Sequence, residues 1–183
     1  MPAVAESEQP PVCAARRGDP DAWDALLRRH QLPIYAYVIE LVRHDQTALD
    51  LVQETFIAAA RHLASLRDDS KFSSWLFGIA HQKVIQHWRK PVRDHAPLDE
   101  LADVLPDDAD DPCGWLIRRE REEEFFAKLS ELPEPQREVL LLHFLEDFSL
   151  EEIADITSAP VGTVKSRLHY AKRALRKLLE EPS

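Results

Sequence analysis

Glycine is scarce: the chain has four in 183 residues, Gly18, Gly78, Gly114 and Gly162, all far apart. A phosphate-cradling loop needs clustered glycines so that backbone can approach the ligand closely, so nucleotide chemistry of that kind is not expected. Cysteine is scarcer still. Cys13 and Cys113 form no C-x-x-C pair, which argues against a zinc or redox motif and for a reduced, cytoplasmic chain. No run of about 18 apolar residues occurs, so no membrane insertion is expected. The N-terminus, Met-Pro-Ala-Val-Ala-Glu-Ser-Glu, lacks the basic start and apolar run of a secretory signal. The apolar alternation that marks half-buried strands is also hard to find. With Ala, Leu, Glu and Arg abundant, an all-α fold is expected.

Signs of enzymatic chemistry are missing too. The eight histidines, at positions 30, 44, 62, 81, 87, 95, 143 and 169, are scattered and form no H-E-x-x-H motif. No nucleophile elbow or paired catalytic carboxylate motif occurs. No catalytic residue, metal or other cofactor is therefore expected.

Charge is plentiful and segregated. The net charge of −10 argues against a nucleic-acid binder, but distribution matters more than the total. Between Arg61 and Arg93 seven Lys/Arg face two acids, and between Thr163 and Lys177 six Lys/Arg face none. Between Asp94 and Asp111 there are eight acids and no Lys/Arg. Two basic surfaces thus flank one acidic strip. Solvated helix faces are the plain alternative.

Residues 1–18 read as a disordered N-terminus. Asp19-Pro20 opens a helix, as cap and first-turn residue. Trp23, Leu26, Leu27 and His30 follow at helical spacing. Pro33 is expected to start a second helix, with Ile34, Val38, Leu41 and Val42 on one face. A third run, from about Thr47 to Leu66, carries Leu49, Val52, Phe56 and Leu63. A fourth, from about Ser73 to Arg89, carries Trp75, Leu76, Ile79, Val84 and Trp88, and Pro91 ends it. Residues 19–91 thus form one small helical domain. Residues 92–114 hold the acidic strip; low hydrophobicity with like charge reads as a flexible acidic linker. Residues 115–183 form a second domain, with helices expected at about 115–130 and 135–145.

The end of the chain is most informative. Ser149-Leu-Glu-Glu152 is a capping box that starts a short helix. Ser158-Ala159-Pro160 breaks it. A last helix follows with apolar positions 161, 164, 168, 171, 175 and 178, one stripe that leaves the other face free. A short capped helix, a turn and a longer helix make a helix-turn-helix, whose second helix enters the major groove. The outward residues are Thr163, Lys165, Ser166, Arg167, His169, Tyr170, Lys172 and Arg173. Their cations and hydroxyls suit bases and phosphates. The open N–H groups near Val161–Thr163 are expected to receive a phosphate.

Ser149-Leu-Glu-Glu-Ile-Ala154 and Pro160-Val-Gly-Thr-Val-Lys-Ser-Arg-Leu-His169 resemble the C-terminal promoter-reading domain of bacterial sigma factors, in the extracytoplasmic-function (ECF) group of the sigma-70 family. Leu132-Pro-Glu-Pro-Gln-Arg-Glu-Val-Leu140 matches as well. Asp50-Leu-Val-Gln-Glu-Thr-Phe56 and Phe72-Ser-Ser-Trp-Leu-Phe-Gly-Ile-Ala80 resemble the other domain of that group. The resemblance covers about residues 19–91 and 115–180.

The resemblance implies a sigma factor that binds core RNA polymerase and promoter DNA. Asp50, Gln53 and Glu54, which share one helix face, would dock on the clamp helices of the largest catalytic subunit. Leu51 and Phe56 belong to the core. Asp68 to Lys90 would open the duplex and hold the −10 element. There Lys71, Lys83, Arg89 and Lys90 supply charge, and Gln82, Gln86 and His87 supply hydrogen bonds, as single-strand capture requires. Phe72 is either a base-stacking ring or a core residue; Trp75 is assigned to the core. The helix-turn-helix would read the −35 element. The family also implies an anti-sigma partner and a linker that threads toward the RNA path; a plain tether is the alternative for the linker. The chain departs from the family at Gly78 and Tyr170, where arginine is common, at Gln82, where asparagine is, and at Ser158, where glycine is. Two other functions remain: a stand-alone operator-binding regulator, which leaves the Asp50, Gln53 and Glu54 patch unexplained, and a protein-interaction adaptor.

Overall fold

The computed structural model describes residues 12–89 and 125–180. Every regular element among them is helical, as expected. The expected linker, 92–114, lies outside them, as do Lys90 and Cys113.

The N-terminus departs from expectation at once. Val12–Arg16 forms a short helix, α1, rather than disordered chain. Val12 is buried, and Arg16 donates to the carbonyls of Leu63 (3.4 Å) and Leu66 (2.9 Å) and pairs with Asp69. These partners lie about 50 residues away in sequence, so no local pattern reveals them.

Helix α2, Pro20–Val42, is capped by the Asp19 carboxylate, which accepts from the N–H groups of Asp21 and Ala22. It runs straight through Pro33, which sits inside the helix instead of starting a new one. Proline removes one helical N–H donor and usually breaks a helix. Here the buried stripe continues on both sides of it, with Leu26 and His30 before and Ile34, Tyr37, Val38 and Leu41 after. Burial of that many apolar side chains, each worth about 2 kcal/mol, outweighs the local cost of about 3 kcal/mol.

Helix α3, Asp45–His62, starts at the His44 cap and ends in a 3-10 turn, Leu63–Ser65. A second such turn, Asp69–Lys71, leads into α4, Phe72–Arg89. Helices α2, α3 and α4 pack on one another around Ile34, Tyr37, Val38, Leu51, Phe56, Leu76, Phe77 and Val84. Leu51 and Phe56 are core, as expected, whereas Leu49 is 53 % exposed and Trp88 38 % exposed. Spacing alone cannot choose between neighbouring apolar positions when one face is wide.

The second domain comprises a helical stretch at 125–130, then α5 (Glu134–Leu145), α6 (Leu150–Thr157) and α7 (Val161–Glu180). Leu129, Val139, Leu142, Ile153, Val164, Leu168, Ala171 and Leu175 form its core. The expected stripe of α7 is buried or half-buried except at its first position, Val161, which is exposed. The two domains touch: α5 packs on α2, and α6 packs on α4.

Candidate nucleic-acid interface

The helix-turn-helix forms from local chemistry. The Ser149 hydroxyl accepts from the Glu152 N–H (3.2 Å), and the Glu152 carboxylate accepts from the Ser149 N–H (3.0 Å). This reciprocal pair satisfies donors that the start of α6 would otherwise leave open. The helix ends at Ser158, whose φ of 52° is left-handed, and the N–H of Ser158 donates to the Ala154 carbonyl. Glycine adopts that conformation without cost, and serine here adopts it with some.

On α7, Lys165, Ser166, His169, Tyr170, Lys172 and Arg173 are exposed, and Thr163 and Arg167 are half-buried. Several of them already make contacts within the protein. The Ser166 hydroxyl donates back to the Thr163 carbonyl (3.0 Å), so it keeps acceptor capacity for an incoming donor. Lys172 lies 3.4 Å from the His143 imidazole and over the Phe144 ring. The Tyr170 ring stands edge-on to His169. The Thr163 N–H already donates to the Pro160 carbonyl (2.9 Å), so it is not open to phosphate as expected. No acid interrupts this face between Thr163 and Lys177.

On α4, Gln82, Gln86, His87 and Arg89 are exposed. Lys83 is half-buried and ion-paired with Glu54 at 3.2 Å. Lys71, in the turn before α4, pairs with Glu152 of α6 at 3.3 Å. Burial pushes the Glu152 carboxyl up, but hydrogen bonds from Ser149 and Lys71 outweigh it and hold the group below its ordinary range. Phe72 is 1 % exposed and packs against His30 and Trp75. Its ring is therefore core in this conformation and offers no surface to a base. Gly78 lies mid-helix, and a Cβ there would meet nothing within 4 Å. A side chain can therefore leave the backbone there without a clash at its Cβ.

On α3, Asp50, Gln53 and Glu54 are exposed together, with the apolar Leu49 and Ile57 exposed beside them. Asp50 accepts from the Gln46 side chain (3.1 Å).

Three residues escaped sequence reasoning. Glu138 of α5 is only 8 % exposed; it accepts from the Tyr37 hydroxyl (2.7 Å) and lies 2.6 Å from the His81 Nδ1. Burial, then the Glu138 charge, pushes the Tyr37 phenol well up, so it stays a proton donor. Nothing in the sequence links positions 37, 81 and 138. Among the described residues, no His, Cys, Asp and Glu cluster could hold a metal ion. No described helix is long and apolar enough to cross a membrane.

A capped helix-turn-helix with an outward basic face defines a DNA-binding protein. Similarity to known proteins narrows this. Residues 26–93 match the family model described as Sigma-70 region 2, and residues 122–175 match Sigma-70, region 4. The RNA polymerase sigma-H factor of Pseudomonas aeruginosa is 34 % identical, over 96 % of this chain and 95 % of its own. The ECF RNA polymerase sigma factor SigW of Bacillus subtilis is 32 % identical, over 91 % of this chain and 93 % of its own. Among solved structures, the sigma factor RpoE of Bartonella quintana, in complex with the anti-sigma factor NepR, superposes with a TM-score of 0.64. It is 25 % identical and covers 87 % of this chain and 98 % of its own. The chain belongs to the sigma-70 family of RNA polymerase sigma factors, in the ECF group, whose members direct promoter recognition and transcription initiation.

Proposed function

We propose that this sigma factor divides its work among three faces. Asp50, Gln53 and Glu54 dock on the clamp helices of the largest catalytic subunit of core polymerase. Lys71, Gln82, Lys83, Gln86, His87, Arg89 and Lys90 hold melted −10 DNA, cations on the backbone and amides on the bases. Thr163, Lys165, Ser166, Arg167, His169, Tyr170, Lys172 and Arg173 meet the −35 duplex, the first turns at base edges and the later ones at phosphates. The polymerase supplies catalysis and this chain supplies binding energy; it acts in the cytoplasm. An anti-sigma partner holds it inactive, by analogy with the solved RpoE–NepR complex.

One observation carries this reading: α7 buries a single stripe and leaves an uninterrupted basic face outside, six Lys/Arg with no acid from Thr163 to Lys177. Run-off transcription with purified core polymerase tests it. A promoter-specific transcript is expected, and replacing Lys165, Arg167 and Arg173 together by alanine should abolish it. Promoter selection that survives the triple replacement would overturn it.

A further inference from the structure

The segment that joins α3 to α4 is held by Arg16 of α1. Leu63–Ser65 and Asp69–Lys71 are 3-10 turns, and residues 66–68 between them have no regular structure. The end of a helix leaves its last carbonyls without helical partners. The Arg16 guanidinium supplies them here. Its Nε donates to the Leu63 carbonyl (3.4 Å) and its Nη2 to the Leu66 carbonyl (2.9 Å), and Nη2 also pairs with Asp69 at the start of the second turn. One planar fork thus ties both turns and the chain between them, which the point charge of a lysine does not do. The other side-chain hydrogen bonds within the first domain that reach this segment are local, among positions 62–74 of the described residues. The clamp is itself firmly based. Val12 is buried, and the N–H groups of Arg17, Gly18 and Asp19 close the turn after α1 by donating to the carbonyls of Ala14 and Ala15. Gly18 makes that reversal at a φ of 88°, which glycine adopts without cost. Downstream, the held segment places Lys71 at the surface and Phe72 in the core.

We propose that Arg16 is a positioning residue for the capture of melted DNA: it fixes the segment 63–71, so that Lys71 and the first turn of α4 meet the single strand in one pose. The proposal rests on the reading of Lys71 and α4 as the −10 grip. Arg16 acts through the segment and not on the DNA. A binding loop that is already ordered does not lose that freedom on binding, so affinity gains what ordering would have cost. The short helix α1 thereby belongs to the DNA-binding unit.

The test uses the full chain reconstituted with core polymerase. The probe is a labelled single-stranded non-template oligonucleotide covering the −10 element of a promoter that run-off transcription identifies. Arg16→Ala should weaken capture about tenfold and Arg16→Lys about threefold. Affinity for core polymerase, and for a duplex with the −35 element alone, should stay at the parent's level. In the free chain, amide exchange across 63–71 should quicken about tenfold in Arg16→Ala, with α2 and the body of α3 unchanged. Capture at the parent level in both Arg16 variants would overturn the proposal. Exchange that quickens evenly through all the helices would overturn it too, since the loss would then be of the domain and not of a pose. If Arg16→Ala does not fold, Arg16→Lys decides alone, because it keeps the charge and lacks the fork. Lys71→Ala tests the underlying reading separately. Capture that falls in Arg16→Ala but not in Lys71→Ala keeps Arg16 as the positioning residue and moves the grip to other residues of α4. Capture that falls only in Lys71→Ala keeps the grip and sinks the role of Arg16.

Discussion

Lys83 on α4 donates to Glu54 on α3 across 3.2 Å, joining the helix assigned to melted DNA with the face assigned to polymerase. The Glu54 side chain is 49 % exposed, so the pair contributes at most about 1 kcal/mol to stability. Glu54→Gln is therefore expected to move the thermal midpoint by less than about 4 °C. Its affinity for core polymerase should fall about three- to tenfold, as anisotropy titration would read, because a rim charge acts mainly on encounter. Affinity equal to the parent's would remove Glu54 from the docking face.

The α7 cations should be separable by salt. Each phosphate left without its cation reduces the slope of log affinity against log salt by about 0.9. Lys172→Ala, with its partner His143 and its later position on α7, should flatten that slope and weaken all promoters alike. Lys165→Ala should instead change the ranking of promoters. Filter binding of the reconstituted complex across a salt series would distinguish them; equal effects on every promoter from both would refute base readout at Lys165.

Much of this arrangement is legible because its causes are local. The Asp19 cap, the Ser149–Glu152 box and the α7 stripe each depend on residues within a turn or two, and they appear as expected but for the exposed Val161 at the head of the stripe. Long-range causes stayed hidden. Pro33 reads as a boundary until the core shows that the same face continues beyond it. Arg16 reaches carbonyls 47 and 50 positions away, and Glu138 meets partners 57 and 101 positions away. Phe72, open in sequence, is settled by burial against His30.

His30 gives the fold an acid weakness. It is 2 % exposed, and among the described residues neither ring nitrogen has a hydrogen-bond partner. Burial, helped by the Arg29 charge, lowers its pKa to about 4. A proton therefore binds the unfolded chain more readily than the folded one, and stability falls as pH drops from about 6.5 toward 4. The loss is about 3 kcal/mol at most. His30→Leu should raise the melting temperature at pH 5 more than at pH 8, as calorimetry would show; an equal shift at both would rule this out.

Two backbone positions carry a removable cost. Ser158, at a φ of 52°, should gain about 1 kcal/mol as Ser158→Gly. Gly78, in mid-helix with open space around it, should gain about 0.5–1 kcal/mol as Gly78→Ala. Urea denaturation measures both, and a lower midpoint in either variant contradicts its assignment.

The length of α7 limits what it can recognise. Twenty residues make a rod roughly 30 Å long, while the major groove is about 12 Å wide. In the proposed docking only the opening turns, from Thr163 to Arg167, would fit between the sugar-phosphate walls. Beyond them the rod would overhang, with Arg173 and Arg176 above the flanking strand. The proposed docking would thus concentrate sequence discrimination in a few side chains, while the overhang would set grip and angle. Transplanting that opening segment from a relative should carry the relative's preference with it.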